Sequence, residues 1–335
     1  MENLLTVKKS EKLDVREANT NEKWANAFNL WLSSKSGNTR RAYQLAWEML
    51  MDFTGKMPWE MGSADIEAWA AQLRSQHAES TVQQRLAAVS SFFSYAKSQY
   101  MDFVDGVEMP LHHYNPAKTV NRPKVQAYGK AHPLSIEGIK ALLDAIDRTT
   151  PLGKRDYALI LAFVLTGRRN SEIRNLRWGD LEQRDGRTWY RWQGKGCTSG
   201  RYELPAAVFL AITDWLSCAG LMDGIQPEDF IFTALCDHAK YFPGVEHEPG
   251  RPLSDRYVRD LVKKYARAAG LDPDLIRVHD LRHTAAMLRA EAGDDVRDIS
   301  TFLGHSDLRT TSRYLFQVGG RKDNSWGKVC EMLSI

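Results

Sequence analysis

Residues 278–315 read VHDLRHTAAMLRAEAGDDVRDISTFLGHSDLRTTSRYL, and the spacing predicts three successive helices. His279 to Ala292 stops at Gly293, Val296 to Leu303 stops at Gly304, and a last helix carries Tyr314. Glycine just past the final periodic residue is a usual helix stop because it takes the left-handed conformation without strain. On the first of these helices His279 and Arg282 share a face one turn apart, with His283 four residues after His279. A metalloprotease pattern would need Glu after the first histidine, and Asp280 stands there. With no third ligand in view, paired helical histidines read as structural rather than metal-binding.

Moving upstream, Ser254 to Ala269 is a further helix stopped by Gly270. Thr188–Gln193 and Tyr202–Pro205 are short β-type runs around GKGCTSG, a hairpin, with Leu176–Glu182 as a possible third strand. The apolar helix DYALILAFVLTG begins at Asp156 and ends at Gly167, and Ser135 caps a helix through Ile146. From Asp102 to Pro133 prolines and glycine interrupt any periodicity, which predicts a linker over 109–133. Before it lie four amphipathic helices: one with Trp24, Phe28 and Trp31, one with Tyr43, Trp47, Leu50 and Met51, one opened by Ser63, and one opened by Ser80 or Thr81. Their aromatic stripes read as core rather than as a cofactor box. The expected architecture is mainly α with a small antiparallel β-sheet in the second domain (α+β): a polar arm over 1–20, a helical domain over 21–108, the linker, and a second domain over 134–335.

Composition agrees. The chain has 335 residues, 43% hydrophobic and 26% charged, with a formal net charge of +3. That supports two packed domains and argues against general disorder. No apolar run reaches the ~20 residues a membrane span needs, and the first residues lack the apolar stretch of a signal peptide. Four cysteines with no CxxC pair signal neither a disulfide framework nor zinc, and a reducing, cytoplasmic compartment is expected. The first 120 residues carry slightly more acidic than basic groups, so any basic surface is local. One candidate runs from Arg251 to Lys264, readable equally as a solvated helix face with ion pairs.

Four strings in the second domain belong together: TGRRNSEI, QGKG, HDLRH and LGHSDLRTTSRYL. In the first, Arg169 and Glu172 are three apart at a helix end, where the carboxylate could orient the guanidinium or merely form an end-of-helix ion pair. Two guanidiniums match the oxygens of one phosphodiester, and phosphoryl transfer is mostly positioning and charge neutralisation. With no carboxylate cluster to hold Mg²⁺, Arg169, Arg282 and His305 could supply that charge. Ionising a tyrosine at pH 7 costs about 4 kcal/mol from its ordinary pKa, so a nucleophilic Tyr needs a proton acceptor, for which His279 is suited. Lys195, in the hairpin turn, has the chemistry of a general acid for an alkoxide leaving group.

Arg169xxGlu172, Lys195 in a β-turn, His279xxArg282, Gly304-His305 and Tyr314 nine residues later, in that order, resemble the tyrosine recombinase (phage integrase) family, including Xer-type recombinases. SGNTRRAYQLAWEMLMDF, residues 36–53, resembles the start of that family's core-binding SAM-like helical domain, so the resemblance runs from about Glu22 onward. It implies site-specific recombination of double-stranded DNA. Tyr314 would attack the scissile phosphate to give a 3′-phosphotyrosine, Lys195 would protonate the departing 5′-hydroxyl, and Arg169, Arg282 and His305 would hold the phosphate. His279 would accept or relay the tyrosine proton, and Glu172 would orient Arg169 or His279. Neither metal, ATP nor another cofactor is implied. Two positions depart from the family pattern: Arg168 stands where an apolar residue usually precedes the catalytic arginine, and the hairpin turn is slightly longer. Arg169 ranks first on register with Glu172, and His283 is assigned a packing role.

The resemblance further implies a two-domain clamp on DNA at an inverted-repeat site, with possible accessory proteins and a nucleoid location. Arg40, Arg41, Arg85, Arg256 and Arg259 are the expected DNA contacts. Beyond Tyr314, Gly319 and Gly320 break the helix, and Trp326, Val329, Cys330 and Leu333 form a narrow apolar stripe on a short helix over 325–335. That stripe must dock, either on its own domain or, as the family implies, on the neighbouring protomer of a tetramer. Two competing readings share these residues: a type IB topoisomerase-like relaxing enzyme, and a DNA-binding protein with a decayed active site.

Overall fold

A computed structural model of the chain describes residues 15–104, 107–123, 131–193, 199–235, 250–304, 311–312 and 332. It divides into two compact units, 1–126 and 127–335.

In the first unit α1 (Val15–Ser33), α2 (Gly37–Thr54), α3 (Ser63–Gln76) and α4 (Glu79–Ser98) meet where the sequence periodicity points. Their core is aromatic: Phe92 packs edge-on to Trp47 at 4.6 Å and to Phe28 at 5.2 Å, and Trp24, Trp31, Trp69 and Phe93 are buried with it. Truncating Phe92 at such a site costs about 3–5 kcal/mol. α1 begins at Val15, inside the stretch expected to be an arm; residues 1–14 lie outside the described ones.

The stretch expected as linker is largely part of this unit. Met101–Val104 (β1) and Val107–Pro110 (β2) pair antiparallel, and His112, Ala117 and Val120 are buried beyond them. Side-chain hydrogen bonds replace regular structure there: the Asn115 amide donates to the Ser90 carbonyl at 2.8 Å, and the Tyr114 hydroxyl to the Met61 carbonyl at 3.2 Å. Prolines suppress periodicity without preventing packing, and the boundary between the two compact units, after residue 126, falls within the stretch 109–133.

In the second unit α5 (Ile136–Asp144) is capped by Ser135, whose hydroxyl accepts from Gly138. α6 (Pro151–Thr166) starts earlier than Asp156, because Thr150 caps it and Pro151 occupies the first turn. It is buried nearly throughout. The short α7 (Asn170–Arg174) follows, then an antiparallel sheet of β3 (Leu181–Arg184), β4 (Arg187–Gln193) and β5 (Ser199–Leu204), in which Tyr190 faces Tyr202. α8 (Ala206–Cys218) buries Val208, Ile212 and Trp215 against the same core. α9 (Asp255–Ala268), α10 (Val278–Glu291) and α11 (Val296–Leu303) match the helices expected from the glycine stops. Residues 194–198, which include Lys195, lie outside the described ones; so do His305, Tyr314 and, apart from residue 332, the helix expected over 325–335.

Candidate active site

Gly167 ends α6 in the left-handed conformation, with φ of 60°. A Cβ there would stand 2.8 Å from Phe302 Cε1 and 3.1 Å from Leu303 Cδ2, so only glycine lets the α6 corner close on the end of α11. Two residues on, Arg169 is the N-cap of α7. The Glu172 carboxylate, in the first turn, accepts from the Arg169 backbone N–H at 3.1 Å and from Nη1 at 2.8 Å. Its side chain is buried while that of Arg169 is 41% exposed. A buried carboxylate thus fixes a guanidinium whose outer part faces solvent, where it can meet an anion.

Arg282 comes to the same corner from α10. Its Nη1 donates to the Gly167 carbonyl at 2.7 Å and its Nη2 to the Leu303 carbonyl at 2.6 Å. It is almost wholly buried. The N-terminus of α10 is anchored by Asp280, fully buried, whose carboxylate accepts from the Arg277 backbone N–H and Nε, both at 2.9 Å. The position that a metal reading would assign to a general base therefore holds a helix cap.

His279 sits edge-on to His283, ring centroids 4.6 Å apart. Desolvation first, then the Arg282 charge, hold the His279 imidazole below its ordinary value, with Asp280 opposing and Arg169 adding to the depression. Burial and the neighbouring His279 push His283 down to about 4. Both rings are neutral at pH 7, so His279 has a nitrogen able to take a proton. Glu172 is hydrogen-bonded to Arg169.

Arg168 behaves unlike its neighbour. It is 1% exposed, donates Nε to the Tyr190 hydroxyl at 2.8 Å and Nη2 to the Phe302 carbonyl at 2.6 Å, and lies over the Tyr202 ring at 4.0 Å. Its residue type does not mark it as buried, since a doubled arginine at a helix end reads as surface; the one signal is that an apolar residue usually stands at this position in the family pattern.

The structure thus brings Arg169, Glu172, His279 and Arg282 to one region, while Lys195, His305 and Tyr314 fall outside the described residues. Of the expected DNA contacts, Arg256 and Arg259 stand exposed on α9, paired with Asp260 and Asp255. Arg40 is engaged by the Leu32 and Ser33 carbonyls at the end of α1, Arg41 by Asn38, and Arg85 is half-buried. Among the described residues no helix is long and apolar enough to cross a membrane.

Comparison with known proteins follows the same division. The family described as Phage integrase family matches residues 134–317, and Phage integrase, N-terminal SAM-like domain, matches residues 22–102. A tyrosine recombinase of Synechococcus elongatus is 30% identical over 295 residues, covering 84% of this chain and 85% of that protein. Tyrosine recombinase XerC of Alcanivorax borkumensis is 27% identical over 297 residues, covering 86% and 87%. Among solved structures, XerH site-specific recombinase bound to palindromic difH substrate matches with a TM-score of 0.66 at 18% identity, over 99% of this chain and 92% of that one. A lambda integrase dimer bound to a COC′ core site matches at 0.64 and 15%, over 90% and 98%. At these identities the two structures speak to the fold.

Proposed function

The chain belongs to the phage integrase family of tyrosine recombinases, enzymes that cleave and rejoin DNA strands, and from that premise we propose how its own residues carry out site-specific recombination. The Tyr314 hydroxyl oxygen attacks the scissile phosphorus and the P–O5′ bond breaks, leaving a 3′-phosphotyrosine and a free 5′-hydroxyl. The tyrosine proton passes to His279, and Lys195 gives a proton to the departing O5′. Arg169, Arg282 and His305 neutralise the non-bridging oxygens. A 5′-hydroxyl from the partner duplex then reverses the chemistry, and because the phosphotyrosine keeps the bond energy, the cycle needs no ATP. Cationic side chains take the charge-neutralising role that Mg²⁺ has elsewhere.

The observation that supports this reading most is the convergence of two arginines on one corner, Arg169 held by buried Glu172 and Arg282 bonded to Gly167, with a neutral His279 beside them. Double-stranded DNA is the partner. Arg256 and Arg259 on the outer face of α9, with Arg40, Arg41 and Arg85 on the first unit, are assigned phosphate or base contacts. An inverted-repeat site, assembly as a tetramer through the helix over 325–335, and action at the nucleoid complete the proposal.

The test is covalent trapping. Duplexes recovered from a random pool by binding to the protein are nicked near the centre, so that cleavage releases a short strand and strands the adduct. A denaturing-gel adduct whose DNA-linked peptide contains Tyr314 is the expected result. No adduct, or one mapped to another residue, would overturn the assignment.

A further inference from the structure

The last turn of α11 is held by three donors from three different elements. The Tyr202 hydroxyl on β5 donates to the Thr301 carbonyl at 2.9 Å, Arg168 Nη2 to the Phe302 carbonyl at 2.6 Å, and Arg282 Nη2 to the Leu303 carbonyl at 2.6 Å. Helix C-termini leave carbonyls unsatisfied and carry partial negative charge, which suits two guanidiniums. The chain then turns at Gly304, left-handed at φ of 65°, and continues into His305.

Of the three donors Arg168 is the one that also grips the sheet. Its guanidinium lies over Tyr202 on β5 at 4.0 Å and Trp192 on β4 at 5.0 Å, while Nε is bonded to Tyr190 on β4. One buried cation therefore joins both strands of the β4–β5 hairpin to the end of α11. An apolar side chain could fill the space between the rings. It could bond neither the Tyr190 hydroxyl nor the Phe302 carbonyl. A buried arginine is costly unless its donors are used; Nε and Nη2 are bonded, the guanidinium lies against three aromatic rings, and Nη1 has no hydrogen-bond partner among the described residues. Packing alone does not explain its presence.

We propose that Arg168 is a positioning residue for strand cleavage: it fixes β4 and β5, the two strands that flank Lys195 in the sequence, against the end of α11. The inference rests on the proposed function, in which Lys195 is the general acid. Loss of Arg168 should slow protonation of the leaving oxygen and leave DNA binding alone.

The experiment compares wild type, Arg168→Met, Tyr202→Phe and Lys195→Ala on two nicked duplexes, one ordinary and one with sulfur in place of the 5′-bridging oxygen, which departs with little need of a proton. Adduct formation is followed in single turnover at saturating protein, alongside DNA affinity and thermal melting. Arg168→Met is expected to slow adduct formation on the ordinary duplex about tenfold or more, and to return to within about threefold of wild type on the sulfur duplex, as Lys195→Ala should. Tyr202→Phe keeps the ring and loses only the hydroxyl, so it should show the same pattern with a smaller defect, and it carries the test if Arg168→Met melts below the assay temperature. Equal losses on both duplexes, or no loss, would overturn the positioning role. Failure of sulfur to rescue Lys195→Ala would take the general acid out of the hairpin and the proposal with it. Absence of adduct in wild type would instead remove the proposed function itself.

Discussion

Replacing Glu172 by glutamine removes one charge and almost no volume, and its consequences for stability and for catalysis should separate. The carboxylate makes two hydrogen bonds to Arg169, one to the backbone N–H and one to Nη1. An amide oxygen can keep the first, so α7 retains its cap. Arg169 is 41% exposed and stays solvated without its partner, so the ion pair contributes about 1 kcal/mol or less to folding. Orientation is another matter. A charge-assisted hydrogen bond is worth about 1.5–3 kcal/mol, and if that energy holds the guanidinium against the phosphate in the transition state, losing it slows cleavage by roughly tenfold to a hundredfold. The assay is single-turnover adduct formation at saturating protein, read beside thermal melting and DNA affinity. A Glu172→Gln variant that cleaves at the wild-type rate would reduce Glu172 to a helix cap. One whose rate falls only with its folded fraction would refute the orienting role as firmly.

Tyr314→Phe should bind DNA as wild type does and form no adduct on a denaturing gel, since only the nucleophilic oxygen is lost. Arg169→Lys should be nearly as damaging to cleavage as Arg169→Ala, because an ammonium cannot reproduce the guanidinium fork; substantial activity in the Lys variant would count against Arg169 as the phosphate ligand. Chelating divalent metal with EDTA should leave adduct formation unchanged, and a loss restored by Mg²⁺ would contradict charge neutralisation by side chains. Deleting Ser325 to Ile335 should preserve binding to a single half-site while weakening cooperative assembly and recombination in gel-shift and plasmid assays. Acid should destabilise the folded chain through its buried histidines. His283, at about 4 in the folded state against about 6.5 unfolded, binds its proton only in the unfolded state between those values, so stability falls as pH drops through that window; urea melts of His283→Gln should show a shallower decline.

Periodicity made the helices legible because each buries one face: Trp24, Phe28 and Trp31 on α1, or Val258, Leu261 and Val262 on α9, are spaced by the helix and buried by the core. Where burial is achieved without periodicity, the sequence is silent. His112, Ala117 and Val120 pack through an irregular segment whose order comes from Asn115 and Tyr114 side chains reaching distant carbonyls, and nothing local announces such partners. The start of α6 was legible in principle, since Thr150 followed by Pro151 is a cap followed by a first-turn proline.

The site divides along the same line. Arg169 and Glu172 are three residues apart on one helix end, so their pairing is a local event that spacing can announce. Arg282 bonding the ends of both α6 and α11 is tertiary, as is the burial of Arg168 among Tyr190, Trp192 and Tyr202. Two adjacent arginines with the same formal charge thus take opposite roles, one turned outward with a carboxylate behind it, the other turned inward against aromatic faces and a helix end. Charge alone cannot separate them, because the cost of burying a guanidinium depends on acceptors contributed by residues 22 and 134 positions away in the chain. The register with Glu172 points to Arg169 as the outward member, and the departure at Arg168 becomes interpretable only once its acceptors are seen.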